Sequence, residues 1–314
     1  MNRRKFFATS ILTGAATALT GSSLLSGSLK PNPIFAPNVN GKFKLKYAPH
    51  FGMFQNHAGD DPINQLKFAA DHGFTAWEDN GMNGKPVDLQ QKIARTMEQL
   101  NMEMGVFVAH HITWHEPTLT SGDKAKKQEF LDQIKASIET AKRVNARWMT
   151  VVPGFVDLKK EMDYQTAHVI EVLRAASEIL EPHNLIMVLE PLNWWADHPG
   201  LFLSKIPQAY MICKAVNSPS CKILFDIYHQ QITEGNLIPN IDKAWDEIAY
   251  VQVGDNPGRN EPTTGEINYR NVFSHLYKKG YKGILGMEHG KSQRGKEGEQ
   301  KLLNSYLEVD DFDI

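Results

Sequence analysis

The chain has 314 residues, 41% hydrophobic and 22% charged, ordinary values for a globular protein able to bury a large core. Its formal net charge of −2 offers no field of one sign to a nucleic-acid backbone or an anionic membrane, so the expected partner is a small molecule and not nucleic acid. Cys213 and Cys221 fit neither a zinc ribbon nor a CxxC redox site and read as buried free thiols, with a disulfide left open if the chain is exported.

Residues 1–41 read as a leader and linker. Arg3, Arg4 and Lys5 precede a mildly apolar stretch from Phe7 to Leu25, the layout of a signal peptide, and the Arg3-Arg4-Lys5-Phe6 run resembles a twin-arginine export signal. Gly14 and Gly21 interrupt the stretch, which makes a stable membrane span the poorer alternative. The expected location is the periplasm, or the cytoplasm if the leader does not function. Lys30 to Gly41 is rich in Pro and Asn and carries no periodic apolar signal.

From residue 42 to residue 314, short apolar runs alternate with longer helical patterns. The expected strands are Lys44–Ala48, Ala76–Glu78, Glu103–Val108, Trp148–Val152, Ile186–Glu190, Lys222–Asp226, Ile248–Val253 and Ile284–Glu288. The expected helices are Pro62–His72, Val87–Leu100, Lys124–Val144, Tyr164–Leu180, Ser204–Val216, Leu237–Trp245 and Tyr269–Lys279, with a last one around Gly298–Leu307. Phe130, Ile134, Ile138 and Ala141 recur at helical spacing. Asp61-Pro62 is a helix start and Gly73 and Gly280 are helix stops. Such alternation means parallel strands with right-handed crossovers, and eight repeats favour a single-domain (β/α)8 TIM barrel. The turn after the first strand, Tyr47-Ala48-Pro49-His50, is not the Gly-rich phosphate turn that an open doubly wound sheet would want.

Four successive strands in the second half end in a polar group: Glu190, Asp226, Gln252 and Glu288, each about one repeat from the next. In a barrel these lie side by side on the carboxyl-terminal rim, where barrel enzymes place their chemistry. Three carboxylates and an amide oxygen gathered there would repel one another without a cation. One divalent metal ion resolves this, and the all-oxygen set suits Mg or Mn, with Co or Zn as alternatives. One acid alone could as well cap the next helix; the set of four is the signal.

Leu189-Glu190-Pro191-Leu192-Asn193, Phe225-Asp226-Ile227-Tyr228-His229-Gln230, and the run from Gln252 through Asn256-Pro257-Gly258-Arg259-Asn260-Glu261-Pro262 to Tyr269 resemble the hydroxypyruvate isomerase family, part of the xylose-isomerase-like TIM-barrel superfamily. The resemblance covers most of residues 100–290. It implies metal ligation by Glu190, Asp226, Gln252 and Glu288, with Glu190 and Glu288 also the catalytic acid–base pair, and substrate contacts from His229 and Arg259. Related ketose epimerases usually carry His where Gln252 stands. Family members often associate, which leaves a homo-oligomer open. Two places differ from the family pattern: Trp194-Trp195 extend the turn after Glu190, and the second strand reads Trp77-Glu78-Asp79-Asn80 in place of an apolar run.

The chemistry expected is isomerisation or epimerisation of a small hydroxy-carbonyl or sugar compound by proton transfer through an enediolate. Each glutamate can bind an ion through one oxygen and keep the other free, whereas Asp226 is better suited to ligation alone. His110 and His111, ending the third strand, are further candidates for substrate hydroxyls, with loop packing as the plain alternative. His50, His57, Trp114, Trp194 and Trp195 are candidate walls of the cup. Two rivals remain. An abasic-site endonuclease on the same barrel would show steeply salt-dependent DNA binding. An exported sugar- or metal-binding barrel without turnover would exchange no substrate proton with solvent.

Overall fold

The computed structural model describes residues 43–314; the leader and linker read from residues 1–41 lie outside the described residues. Among the described residues there are eight strands: β1 (Lys46–Ala48), β2 (Ala76–Trp77), β3 (Glu103–Met104), β4 (Trp148–Val151), β5 (Ile186–Leu189), β6 (Cys221–Asp226), β7 (Ile248–Gln252) and β8 (Ile284–Gly286). The helices are α1 (Gln55–Ala58), α2 (Pro62–Asp71), α3 (Val87–Gln99), α4 (Lys124–Val144), α5 (Met162–Leu180), α6 (Ile206–Val216), α7 (Ile227–Thr233), α8 (Leu237–Ala244), α9 (Tyr269–Lys278) and α10 (Gly295–Asp310). Each expected strand is found, most of them trimmed at one or both ends. The seven-residue α7 is additional, and it follows β6 without a linking residue.

All strand pairs are parallel. One sheet runs β1-β8-β7-β6-β5-β4 and a second pairs β2 with β3. Backbone contacts join the two into a ring. Glu78 N–H donates to the Pro49 carbonyl at 2.9 Å, and bridges pair Met104 with Ala146 and Val108 with Thr150. Side chains alternate between lumen and helix layer, so one face of each strand fills the barrel. Ala48, Ala76, Val106, Val188, Leu224, Tyr250 and Ile284 form that inner cluster. A larger cluster between strands and helices takes in Phe130, Ile134, Ile138 and Ala141 of α4.

Local signals explain the helix ends. The Asp61 side chain accepts from Ile63 N–H, and Asp123 accepts from Ala125 and Lys126 N–H, satisfying donors that a helix start leaves free. Asn145 and Asn217 close α4 and α6 in the left-handed conformation, where an Asn costs less than a bulkier side chain. Both cysteines are free and buried. Among the described residues no helix is long and apolar enough to cross a membrane.

Candidate active site at the carboxyl-terminal rim

The lumen alternation delivers the rim residues. Two positions beyond Val188, Leu224 and Tyr250, on the same strand faces, stand Glu190, Asp226 and Gln252, and two beyond Gly286 stands Glu288. Asp226 and Gln252 are register partners, and Gln252 in turn pairs with Gly286. Each lumen face is apolar at its start and polar at its end, which puts desolvated carboxylates at one mouth.

Arg259 ties two of them together. Its Nη2 donates to Asp226 Oδ2 at 3.1 Å and to Glu288 Oε2 at 2.6 Å, and its Nε donates to the Glu288 carbonyl at 3.2 Å. The guanidinium lies 4.9 Å from the Tyr228 ring centroid, in cation–π contact. Arg259 has a φ of 48°, uncommon for a residue with a side chain, and the loop around it is held by Asp255. That carboxylate accepts from the N–H groups of Asn256, Thr264, Gly265 and Ile267. On its other side Glu288 accepts from Asn80 Nδ2 at 2.7 Å.

Asp226 has two functions. Its Oδ1 accepts from His229 N–H at 3.1 Å and caps α7, while Oδ2 faces Arg259. The cap and the rim role, alternatives in the sequence, coexist in one side chain. His229 is fully buried, with Nε2 3.8 Å from Asp226 Oδ2 and 4.0 Å from Glu190 Oε1. Its Nδ1 receives Asn193 N–H at 3.3 Å and Asn193 Nδ2 at 2.7 Å. The Asn193 amide is itself oriented, because its oxygen accepts from Ala196 and Asp197 N–H. The neutral ring therefore carries its hydrogen on Nε2, which makes that atom a donor and not a metal ligand.

Burial sets the proton affinities. The Glu78 carboxyl is pushed up to about 8 by burial and by the Glu288 charge. Burial carries Glu288 to about 7 against the pull of Arg259, and Glu190 is raised well above the usual range by burial, Glu288 and Asp226. The same desolvation lowers His110, His229 and His289 to about 4. The histidines bind fewer protons folded than unfolded, so their contribution to stability grows as pH rises from about 4 to 6.5. The glutamates bind more protons folded than unfolded, so theirs falls as pH rises from 4.5 through about 7 and 8. Above pH 6.5 only the loss remains. With a chelator present, the melting temperature should drop between pH 6.5 and pH 8; a flat or rising value would contradict buried, unneutralised acids.

A divalent ion needs lone pairs that nothing else uses. Among the described residues the Glu190 carboxylate accepts no hydrogen bond, and Gln252 Oε1 is buried with no partner. Glu190, Asp226 and His229 offer atoms within 4.8 Å of one another, although the His229 tautomer removes the histidine from the ligand set. What remains is oxygen-only, and it fits a hard cation.

Other sequence candidates lie elsewhere. His110 spends both ring nitrogens on the scaffold, accepting Val152 N–H at 3.2 Å and bonding the His111 carbonyl at 3.0 Å, with its ring edge-on to Phe130. His111 is exposed, and its N–H is taken by Gln133. Neither touches the acid cluster; the third strand's polar end turned into its own loop. His57 is paired with Glu299 at 2.6 Å. Trp114 is half-exposed and stacks on His198, whose ring lies 5.6 Å from His229. Trp194 donates to the Leu201 carbonyl, and Trp195 is 78% exposed. Sequence reasoning gave no role to Asn80, Asn193, Asp197 or Glu78. Burial would raise Asp197, yet hydrogen bonds from Asn193 and Tyr228 hold it below the usual carboxylate range.

Residues 66–306 match the xylose isomerase-like TIM barrel family. The hydroxypyruvate isomerase of Escherichia coli K12 is 32% identical over 181 residues, 58% of this chain and 69% of that enzyme. Among solved structures, the AP endonuclease, family 2, of Brucella melitensis superposes with a TM-score of 0.68 at 26% identity, covering 81% of this chain and 96% of that one. D-psicose 3-epimerase of Clostridium cellulolyticum H10, solved with D-tagatose, gives 0.70 at 14% identity over 85% of this chain and 98% of its own. At that identity the likeness concerns the fold.

Proposed function

Because the chain belongs to the xylose isomerase-like TIM barrel family, we propose that it isomerises or epimerises a small hydroxy-carbonyl or sugar compound at the rim formed by Glu190, Asp226, Gln252 and Glu288. The observation that carries the proposal is the gathering of buried Glu190, partly exposed Glu288 and an arginine bridging Asp226 and Glu288 at the carboxyl-terminal end of a filled barrel. Glu190, Asp226, Gln252 and Glu288 would hold one divalent ion, Mg or Mn by the chemistry of the donors, and when bound it supplies positive charge where negative charge develops on oxygen.

The chain's own groups account for the proton movement. Converting an α-hydroxy aldehyde into a ketone shifts one proton between neighbouring carbons and a second between their two oxygens, both of which become electron-rich on the way. Glu288 and Glu190 would take a proton from carbon and return it, each keeping one oxygen free of the ion. One glutamate returning the proton to the neighbouring carbon gives isomerisation; two acting from opposite faces of one carbon give epimerisation. With Nε and Nη2 already held by Glu288 and Asp226, the Arg259 guanidinium has Nη1 left to offer a substrate oxyanion. His229 Nε2–H points into the same space and has no partner there, so it can donate to a substrate hydroxyl.

The test is metal-dependent interconversion of ketoses and hydroxy-keto acids in deuterium oxide. Product carrying deuterium at the reacting carbon, formed only when Mg or Mn is present, is the expected result. Binding without exchange across the panel would point to a carrier, and cleavage of abasic DNA would point to a nuclease.

A further inference from the structure

We propose that Glu78 is a positioning residue that turns the Gln252 amide so that its oxygen, and not its nitrogen, faces the carboxylate cluster. The inference rests on the reading of that cluster as a cation site and concerns how one of its ligands is oriented. A glutamine presents an oxygen or an NH2 group in nearly the same shape, and half a turn exchanges them. An NH2 group in that place would repel a cation. Nothing in Gln252 itself decides between the two.

Glu78 sits one residue beyond β2, with its side chain buried in the lumen. Gln252 Nε2 donates to its Oε1 at 2.8 Å, and the Tyr250 hydroxyl bonds its Oε2, also at 2.8 Å. A hydroxyl can donate or accept, so Tyr250 serves Oε2 whether or not Glu78 carries a proton, and Oε1 stays free to receive the amide hydrogen. The other end of the same amide, Gln252 Oε1, is buried with no partner. The bond crosses the barrel, since β1 and β8 separate β2 from β7 in the ring.

The backbone is shaped to admit this bridge. A methyl group at Gly286 would overlap the Glu78 carboxylate, and one at Gly105 would overlap the Tyr250 hydroxyl. Glycine weakens a strand, so two of them facing one buried network mark a place where side-chain volume was given up to let polar groups in. A network that served packing alone would not need to leave the Gln252 oxygen without a partner.

The experiment titrates manganese(II) chloride calorimetrically into the wild type, Glu78→Met, Gln252→Ala and the double variant, each first stripped with chelator and checked for fold by circular dichroism. Partners that orient a ligand are worth about 10- to 100-fold in metal affinity. Glu78→Met should therefore weaken binding at least tenfold in a folded barrel. The double variant should bind no worse than Gln252→Ala alone, because without the amide there is nothing left to orient. Glu78→Gln, which keeps an acceptor oxygen, should stay within a few-fold of wild type. If Glu78→Met does not fold, Glu78→Ala carries the same cycle: its cavity admits water, which satisfies both neighbours without choosing an amide edge. Wild-type affinity in the folded Glu78 variant, or losses that multiply in the double variant, would overturn the inference and leave the cation site standing. A wild type that binds no manganese would overturn both.

Discussion

Glu288→Gln should abolish turnover and leave the barrel folded. The replacement keeps shape and removes the ability to hold a carbon-derived proton. Its local partners can adapt: the oxygen of the new amide still accepts from Arg259, and the NH2 group finds Asn80 Oδ1, which is buried with no partner, once the Asn80 amide rotates. A group that moves a proton in the rate-limiting barrier contributes about 10²- to 10⁴-fold, so kcat should fall by about three orders of magnitude. Melting temperature at pH 6.5 should change by little, because a neutral amide replaces an acid that burial already disfavours as an anion. Full activity in the variant would remove Glu288 from the proton path.

Arg259→Ala should be nearly as damaging, and in a way that separates two functions of the guanidinium. Removing a preorganised donor to a developing oxyanion costs about 10²- to 10³-fold in kcat. Lys at this position should not rescue, since one ammonium nitrogen cannot hold Asp226 and Glu288 as Nη2 does and also serve the Glu288 carbonyl as Nε does. The metal-free protein should also lose stability, because Asp226 and Glu288 would be left without a counter-charge. Breaking a fully buried pair costs about 3–5 kcal/mol; Arg259 is 27% exposed, so about 2 kcal/mol is the reasonable figure. Excess Mg or Mn should return much of that stability, seen as a rise in melting temperature, without returning activity. A variant that turns over at the wild-type rate would leave Arg259 with a structural role alone.

The sequence carried the fold because the signals that define a barrel are local. Each strand and helix has its own period, and caps such as Asp61 and Asp123 mark the starts. The rim residues were legible for the same reason: an apolar lumen stripe ending in Glu, Asp or Gln can be read one strand at a time. His110 ends its strand in the same manner, yet its ring folds back onto Val152, and no strand-by-strand reading reveals that. Glu78 was visible only as a departure from the family's apolar second strand. Its partner lies across the lumen, 174 residues away in the chain, so the contact is a product of closure and not of pattern. The His229 tautomer depends likewise on Asn193, 36 residues earlier, whose amide is set by its own turn.

The filled lumen governs traffic. Below Glu78 the cylinder is plugged by Ala48, Val106, Val188, Leu224 and Ile284, so nothing reaches the rim through the lumen from the opposite end. Under the proposed chemistry, reactant and isomer must use the same entrance and take turns in the same seat. Accumulating product then competes directly with fresh reactant, and the enzyme works in whichever direction the surrounding concentrations dictate.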